Sequence, residues 1–125
     1  MKKTLLLVLF LCLGSITLMA QSYNMTVTGH QEQTSGNCTI YDDGGETGNY
    51  SGNCNSSITI VANNSNNYFY ITGTYNLESC AKARLKIFDG GTMSTVLLNT
   101  FCNSGSISLC TSGPRVTIRF ESDTD

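Results

Sequence analysis

The sequence predicts an all-β domain folded as an antiparallel sandwich, and three observations carry that prediction. Short runs of β-branched and aromatic residues alternate apolar with polar side chains, which is the period of a half-buried strand. Turns rich in glycine, asparagine and serine separate these runs at the roughly 8–12-residue spacing of sandwich proteins. No stretch beyond residue 20 keeps a helical period over three turns.

The strands follow in order. Residues 23–28 alternate, while residues 29–37 read as a polar loop or linker. Residues 57–62 place Ile58, Ile60 and Ala62 on one face. An asparagine-rich turn at 63–67 leads into residues 68–75, with Phe69 and Ile71 on one side. Residues 84–88 pair Leu85 with Ile87 before Asp89, Gly90 and Gly91, a strong turn signal because glycine accepts positive φ at no steric cost. Residues 96–101, 106–109 and 115–120 complete the set, the last alternating Val116, Ile118 and Phe120 with Thr117 and Arg119.

Residues 1–20 have a different composition. Lys2 and Lys3 precede an uncharged apolar run over 5–13, and smaller residues lead to Ala20. That plan is a secretory signal peptide, with cleavage expected after Ala20. The run is too short for a confident membrane span. Leu11 before Cys12 suggests a lipid-attachment site, but Phe10 and the early position argue against it. The expected product is secreted or held at the cell surface.

The whole chain carries a formal charge of −2, becoming about −4 without Lys2 and Lys3. Nucleic-acid binding needs clustered Lys and Arg along phosphates, so this balance argues against it. Zinc is disfavoured because His30 is the only histidine and no two cysteines stand three apart. Nucleophilic catalysis would need His30, which falls in the polar linker, and no Gly-x-Ser-x-Gly elbow occurs. Glu78 and Asp123 could pair as glycosidase carboxylates, but a domain this small offers little cleft. A non-catalytic protein is the expectation.

Cys38, Cys54, Cys80, Cys102 and Cys110 follow the leader, and in an exported chain cysteines are expected to pair. From Cys38 the order of cysteines and turns resembles a CUB domain, notably its bacterial CUB-like form. The residues that carry the likeness are Tyr41, Asp42, Gly44 and Gly45, then Asn49 and Tyr50 before Cys54. They continue with Glu78, Cys80, the 85–90 strand ending in Asp89 and Gly90, Cys102, and Phe120, Ser122 and Asp123. The likeness spans residues 38–123. It implies a jelly-roll-like β-sandwich with two disulfides, Cys38–Cys54 and Cys80–Cys102. Each would close a loop worth about 3 kcal/mol of chain entropy. Cys110 is then left over, expected as a buried apolar thiol beside Leu109, with an intermolecular disulfide as the alternative. An immunoglobulin-like sandwich competes, but its core tryptophan is absent from this chain.

The resemblance also implies a calcium site. Glu78 and Asp123 fall on two of its acidic positions, but the middle one is Ala83, flanked by Lys82 and Arg84. Losing a carboxylate weakens a hard-cation site, so a metal-free protein is expected. A second acidic cluster, Asp42, Asp43 and Glu46, reads as a solvated turn whose Asp side chains bond their own backbone. Sequences of this type normally run on into a closing strand, so the expected layout is a leader over 1–20, a strand or linker over 21–37, and a sandwich over 38–125 without its last strand. The function so implied is extracellular binding or adhesion toward a protein or glycan. The alternatives are an accessory domain of a secreted hydrolase and a structural surface protein.

Overall fold

The protein is represented by a computed structural model that describes residues 5–11 and 21–124. Lys2, Lys3, Cys12 and the expected cleavage position at Ala20 lie outside the described residues. The chain is all-β, with two five-stranded sheets forming a jelly-roll-like sandwich. Its strands are β1 (Leu5–Leu11), β2 (Gln21–Asn24), β3 (Thr28–Thr34), β4 (Cys38–Tyr41), β5 (Asn55–Val61), β6 (Phe69–Asn76), β7 (Ala83–Asp89), β8 (Val96–Phe101), β9 (Ser104–Cys110) and β10 (Arg115–Ser122). Sheet A runs β2-β4-β1-β6-β9 and sheet B runs β3-β5-β10-β7-β8.

The core lies between the sheets and is built by period-two alternation. Sheet B contributes Ile58 and Ile60 from β5, Leu85 and Ile87 from β7, and Val116, Ile118 and Phe120 from β10, all buried. Sheet A contributes Leu5, Leu7 and Leu9 from β1, Ile40 from β4, and Phe69 and Ile71 from β6. Tyr50 packs edge-on against Phe120, with ring centroids 4.9 Å apart. The remaining pairs are antiparallel, but β2–β4 and β3–β5 are parallel. These two parallel ladders belong to one N-terminal segment, which edges sheet A with β2, turns at the buried Met25, and edges sheet B with β3.

Three expectations are corrected. Residues 29–37 are not a loop throughout, because β3 pairs with β5 from Thr28 to Thr34. An edge strand with both faces largely in solvent needs no apolar alternation, so periodicity cannot reveal it. Among the described residues one disulfide is formed, Cys80–Cys102, whereas Cys38 and Cys54 are buried free thiols. Cys38 opens β4, but Cys54 Sγ lies 3.5 Å from an oxygen of Asp43, beyond the opposite end of that strand. The intervening strand spans about 13 Å, too far for a bridge whose Cα atoms must come within about 7 Å. Cys110 is exposed rather than buried. Ile107 and Leu109 take the inward positions of β9, so alternation turns Cys110 outward. In the uncut chain Leu5–Leu11, part of the segment read from sequence as leader, forms a strand in the middle of sheet A, paired with β4 on one side and β6 on the other.

Candidate functional site

The outer face of sheet B carries a cleft whose floor is set by β5 and β10. Outward positions of a strand normally meet water, yet Thr59 and Thr117 are buried there. The turn after β7 covers them. Thr117 Oγ1 donates to the Gly90 carbonyl at 2.9 Å, and the Thr59 and Thr117 hydroxyls lie 2.7 Å apart. Gly90 has φ of 135°, and a Cβ there would meet Thr95 side-chain atoms at 2.7 Å, so the turn demands glycine. Asp89 locks the turn by accepting the Ser112 N–H with both carboxylate oxygens. The turn read from the sequence is therefore a lid over part of the sheet.

Beyond the lid the face opens. A cavity of about 450 Å³ is lined by Thr28, His30, Asn55, Ser57, Met93 and Arg119, among others. A smaller one of about 210 Å³ adjoins it and shares His30, Ser57 and Met93. His30 Nδ1 lies 2.7 Å from Ser57 Oγ across the β3–β5 ladder. Arg119 spans the mouth, donating to Asn55 Oδ1 at 3.0 Å and contacting Met93 Sδ. Arg119 Nε also stands 2.8 Å from Glu121 Oε1, an ion contact without hydrogen-bond alignment. Burial alone pushes the Glu121 carboxyl up, but Lys86 at 3.2 Å, Arg119 and Arg84 outweigh it and hold the group below its ordinary range. With Glu121 committed to three cations, Arg119 keeps its guanidinium edge toward the cleft. The result is a shallow pocket with imidazole, hydroxyl, amide and guanidinium groups converging under one thioether.

Sequence reasoning did not find this pocket. His30 and Ser57 are far apart in the chain and meet only through parallel pairing of a strand that alternation cannot show. The pair is not arranged as a triad: no carboxylate bonds the imidazole among the described residues, and Ser57 sits mid-strand rather than on an exposed turn.

The two acidic residues at which the resemblance implied a calcium site lie in the turn before β7 (Glu78) and just after β10 (Asp123). The Glu78 N–H donates to the Tyr50 hydroxyl at 3.3 Å, and the Asp123 N–H donates to the Lys82 carbonyl at 2.8 Å. Ala83 is buried at the first position of β7. Among the described residues no group of three His, Cys, Asp or Glu side chains is placed to hold a metal ion.

The second acidic cluster differs from the solvated turn expected of it. Asp42 is completely buried. Its Oδ1 accepts the Gly44 N–H at 2.8 Å, the local Asp turn expected, and its Oδ2 accepts the Leu5 N–H of β1 at 2.9 Å. Asp43 accepts from the Ser51 N–H and hydroxyl, and Glu46 is exposed. Burial pushes the Asp42 carboxyl up to about 6, although the Leu5 and Gly44 N–H groups pull it down. An acid that binds its proton more tightly when folded stabilises most below its unfolded value of about 4. That contribution fades as pH rises through about 6. Raising the pH from 4 to 7 is expected to remove up to about 3 kcal/mol through this group. Asp42→Asn keeps an acceptor and should flatten that part of the curve. Urea unfolding across the range checks it, and equal pH slopes in both proteins would refute the assignment.

Neither the protein-family models nor the curated proteins compared with this chain match it.

Proposed function

We propose that the chain is a non-catalytic extracellular binding module of CUB-like type, which takes polar groups of a protein or glycan in the outer cleft of sheet B. The cleft carries this reading. Its volume falls in the range of about 300–1,000 Å³ common to ligand sites, and its groups fix orientation by hydrogen bonds. No phenylalanine, tyrosine or tryptophan is among its lining residues, which favours hydrogen-bonded recognition over stacking on a large ring. An extracellular setting agrees with the Cys80–Cys102 bridge and with the leader plan of residues 1–20. Among the described residues no helix is long and apolar enough to cross a membrane.

The test is to display the full chain against arrays of oligosaccharides and of extracellular protein fragments, then to repeat each positive signal with Arg119→Ala. Losing a charged hydrogen bond to ligand costs about 1.5–3 kcal/mol, so binding should weaken at least about tenfold. Glu121 retains Lys86 and Arg84, so the melting temperature should shift little. Ligands whose affinity ignores both Arg119→Ala and Asn55→Ala bind elsewhere and remove the cleft from the proposal. A second reading, a structural surface protein, draws on the exposed Cys110, which a second chain could reach. A reductant-sensitive dimer lost in Cys110→Ser would favour it.

A further inference from the structure

The strand in the middle of sheet A is also the segment whose sequence reads as removable leader, and the two facts together have a structural consequence. β1 pairs antiparallel with β6 over seven residues, Leu5 to Leu11, and with β4 over four, Leu6 to Leu9. Leu5, Leu7 and Leu9 are at most 1% exposed and face the same core as Cys38, Ile40, Phe69 and Ile71. No ladder joins β4 directly to β6, so sheet A is continuous only through β1. Taking β1 away leaves two strand edges facing each other across a gap, with unpaired N–H and C=O groups on both sides and an apolar floor beneath. Such a gap is a poor match for water, because buried backbone groups need partners and the floor offers none. It matches one kind of ligand: another strand.

We infer that the gap between β4 and β6 is an acceptor site for an aliphatic β-strand donated by another polypeptide, taken up once β1 has been cut away. The geometry states what that strand must be. It is extended over about seven residues, since each edge offers backbone partners at a strand repeat of about 3.3 Å. It carries branched aliphatic side chains at three alternate positions, in the places of Leu5, Leu7 and Leu9. It runs antiparallel to both neighbours, with its leading N–H at the Asp42 carboxylate, which is otherwise buried with an acceptor to satisfy. Backbone pairing supplies affinity and the alternate pockets supply selection, as in other strand-addition complexes. The inference rests on the leader reading of residues 1–20 but not on the cleft of sheet B, which lies on the far side of the sandwich.

Two measurements test it. Amino-terminal sequencing of the exported protein should begin at Gln21; a mature chain that keeps Leu5–Leu11 makes β1 the domain's own strand and overturns the inference. The second uses the full chain with a specific protease site placed between residues 12 and 20, folded and then nicked. A dye-labelled peptide of residues 2–11 should enter the nicked protein, raising its fluorescence anisotropy, but not the intact chain. The same peptide with Leu7→Asp should bind at least about 100-fold more weakly, because it must bury a charge. Retention of the original fragment through gel filtration likewise supports an acceptor gap. Loss of the fragment with no peptide uptake, and with β4 and β6 amides as protected as before, means the gap closes by itself. Dimers forming on nicking assign the gap to a second copy. Equal binding of the Leu7→Asp peptide places uptake elsewhere. Each of these three results overturns the inference. Arg119→Ala should leave peptide uptake unchanged, so failure of the cleft proposal and failure of this one remain distinguishable.

Discussion

Phe120→Ala is expected to lower the free energy of unfolding by about 4 kcal/mol. Phe120 is 1% exposed and lies in β10, the central strand of sheet B, opposite Leu85 on one side and Ser56 on the other. Alanine removes most of a buried ring and leaves a cavity that two hydrogen-bonded neighbours cannot collapse to fill. The ring also meets Tyr50 edge-on, a contact worth about 0.5–1.5 kcal/mol beyond its area. Tyr50 in turn accepts the Glu78 N–H through its hydroxyl, so the loss reaches the turn before Cys80. Phe120→Leu, which keeps most of the volume, should cost under about 2 kcal/mol. Urea denaturation measures both, and a cost below about 1 kcal/mol for the alanine variant would show that the ring is not tightly packed.

Removing the disulfide, as Cys80→Ala with Cys102→Ala, should cost about 3 kcal/mol, because it frees a loop of 22 residues in the unfolded chain. The bridge joins the residues just outside the β7–β8 pair, where Leu85 faces Phe101. It ties the open end of that hairpin at the margin of sheet B, and the variant should show its fastest added amide exchange there. The thiols provide an independent check. Among the described cysteines, Cys110 should react alone with an alkylating agent in the native protein. Burial pushes the Cys38 and Cys54 thiols up to about 11, so both should resist until the chain unfolds. Unfolding without reductant should then expose these two and leave Cys80 and Cys102 blocked. Cys38 and Cys54 remaining blocked would restore the second bridge.

Much of the fold was legible because most strands have one dry face and one wet face. Ile58 and Ile60, Leu85 and Ile87, and Val116, Ile118 and Phe120 announced β5, β7 and β10 to within a few residues. Gly90 announced its turn because the backbone there needs positive φ. β3 escaped detection because Gly29, His30 and Glu32 carry no apolar pattern; its stability comes from backbone pairing with β5. β1 was not read as a strand for the opposite reason: its uninterrupted apolar run follows Lys2 and Lys3 and so reads as a leader, although such a run also suits a buried strand. The buried state of Asp42 depends on that same strand lying over it. The pocket under Met93 needed two unreadable facts at once, the placement of β3 and the fold-back of the turn after β7. The pairing implied by the resemblance held at Cys80–Cys102 but misled at Cys38 and Cys54, where chain separation is short and spatial separation is not.

The N-terminal segment from Gln21 to Thr34 has one more consequence. Because it contributes a strand to each layer, neither sheet can shed its margin without straining the other. Loosening of the two layers should therefore be concerted, with the amides of β2 and β3 exchanging at matched rates. A single proteolytic cut beside Met25, buried at the crossing, would split that behaviour into two separate events.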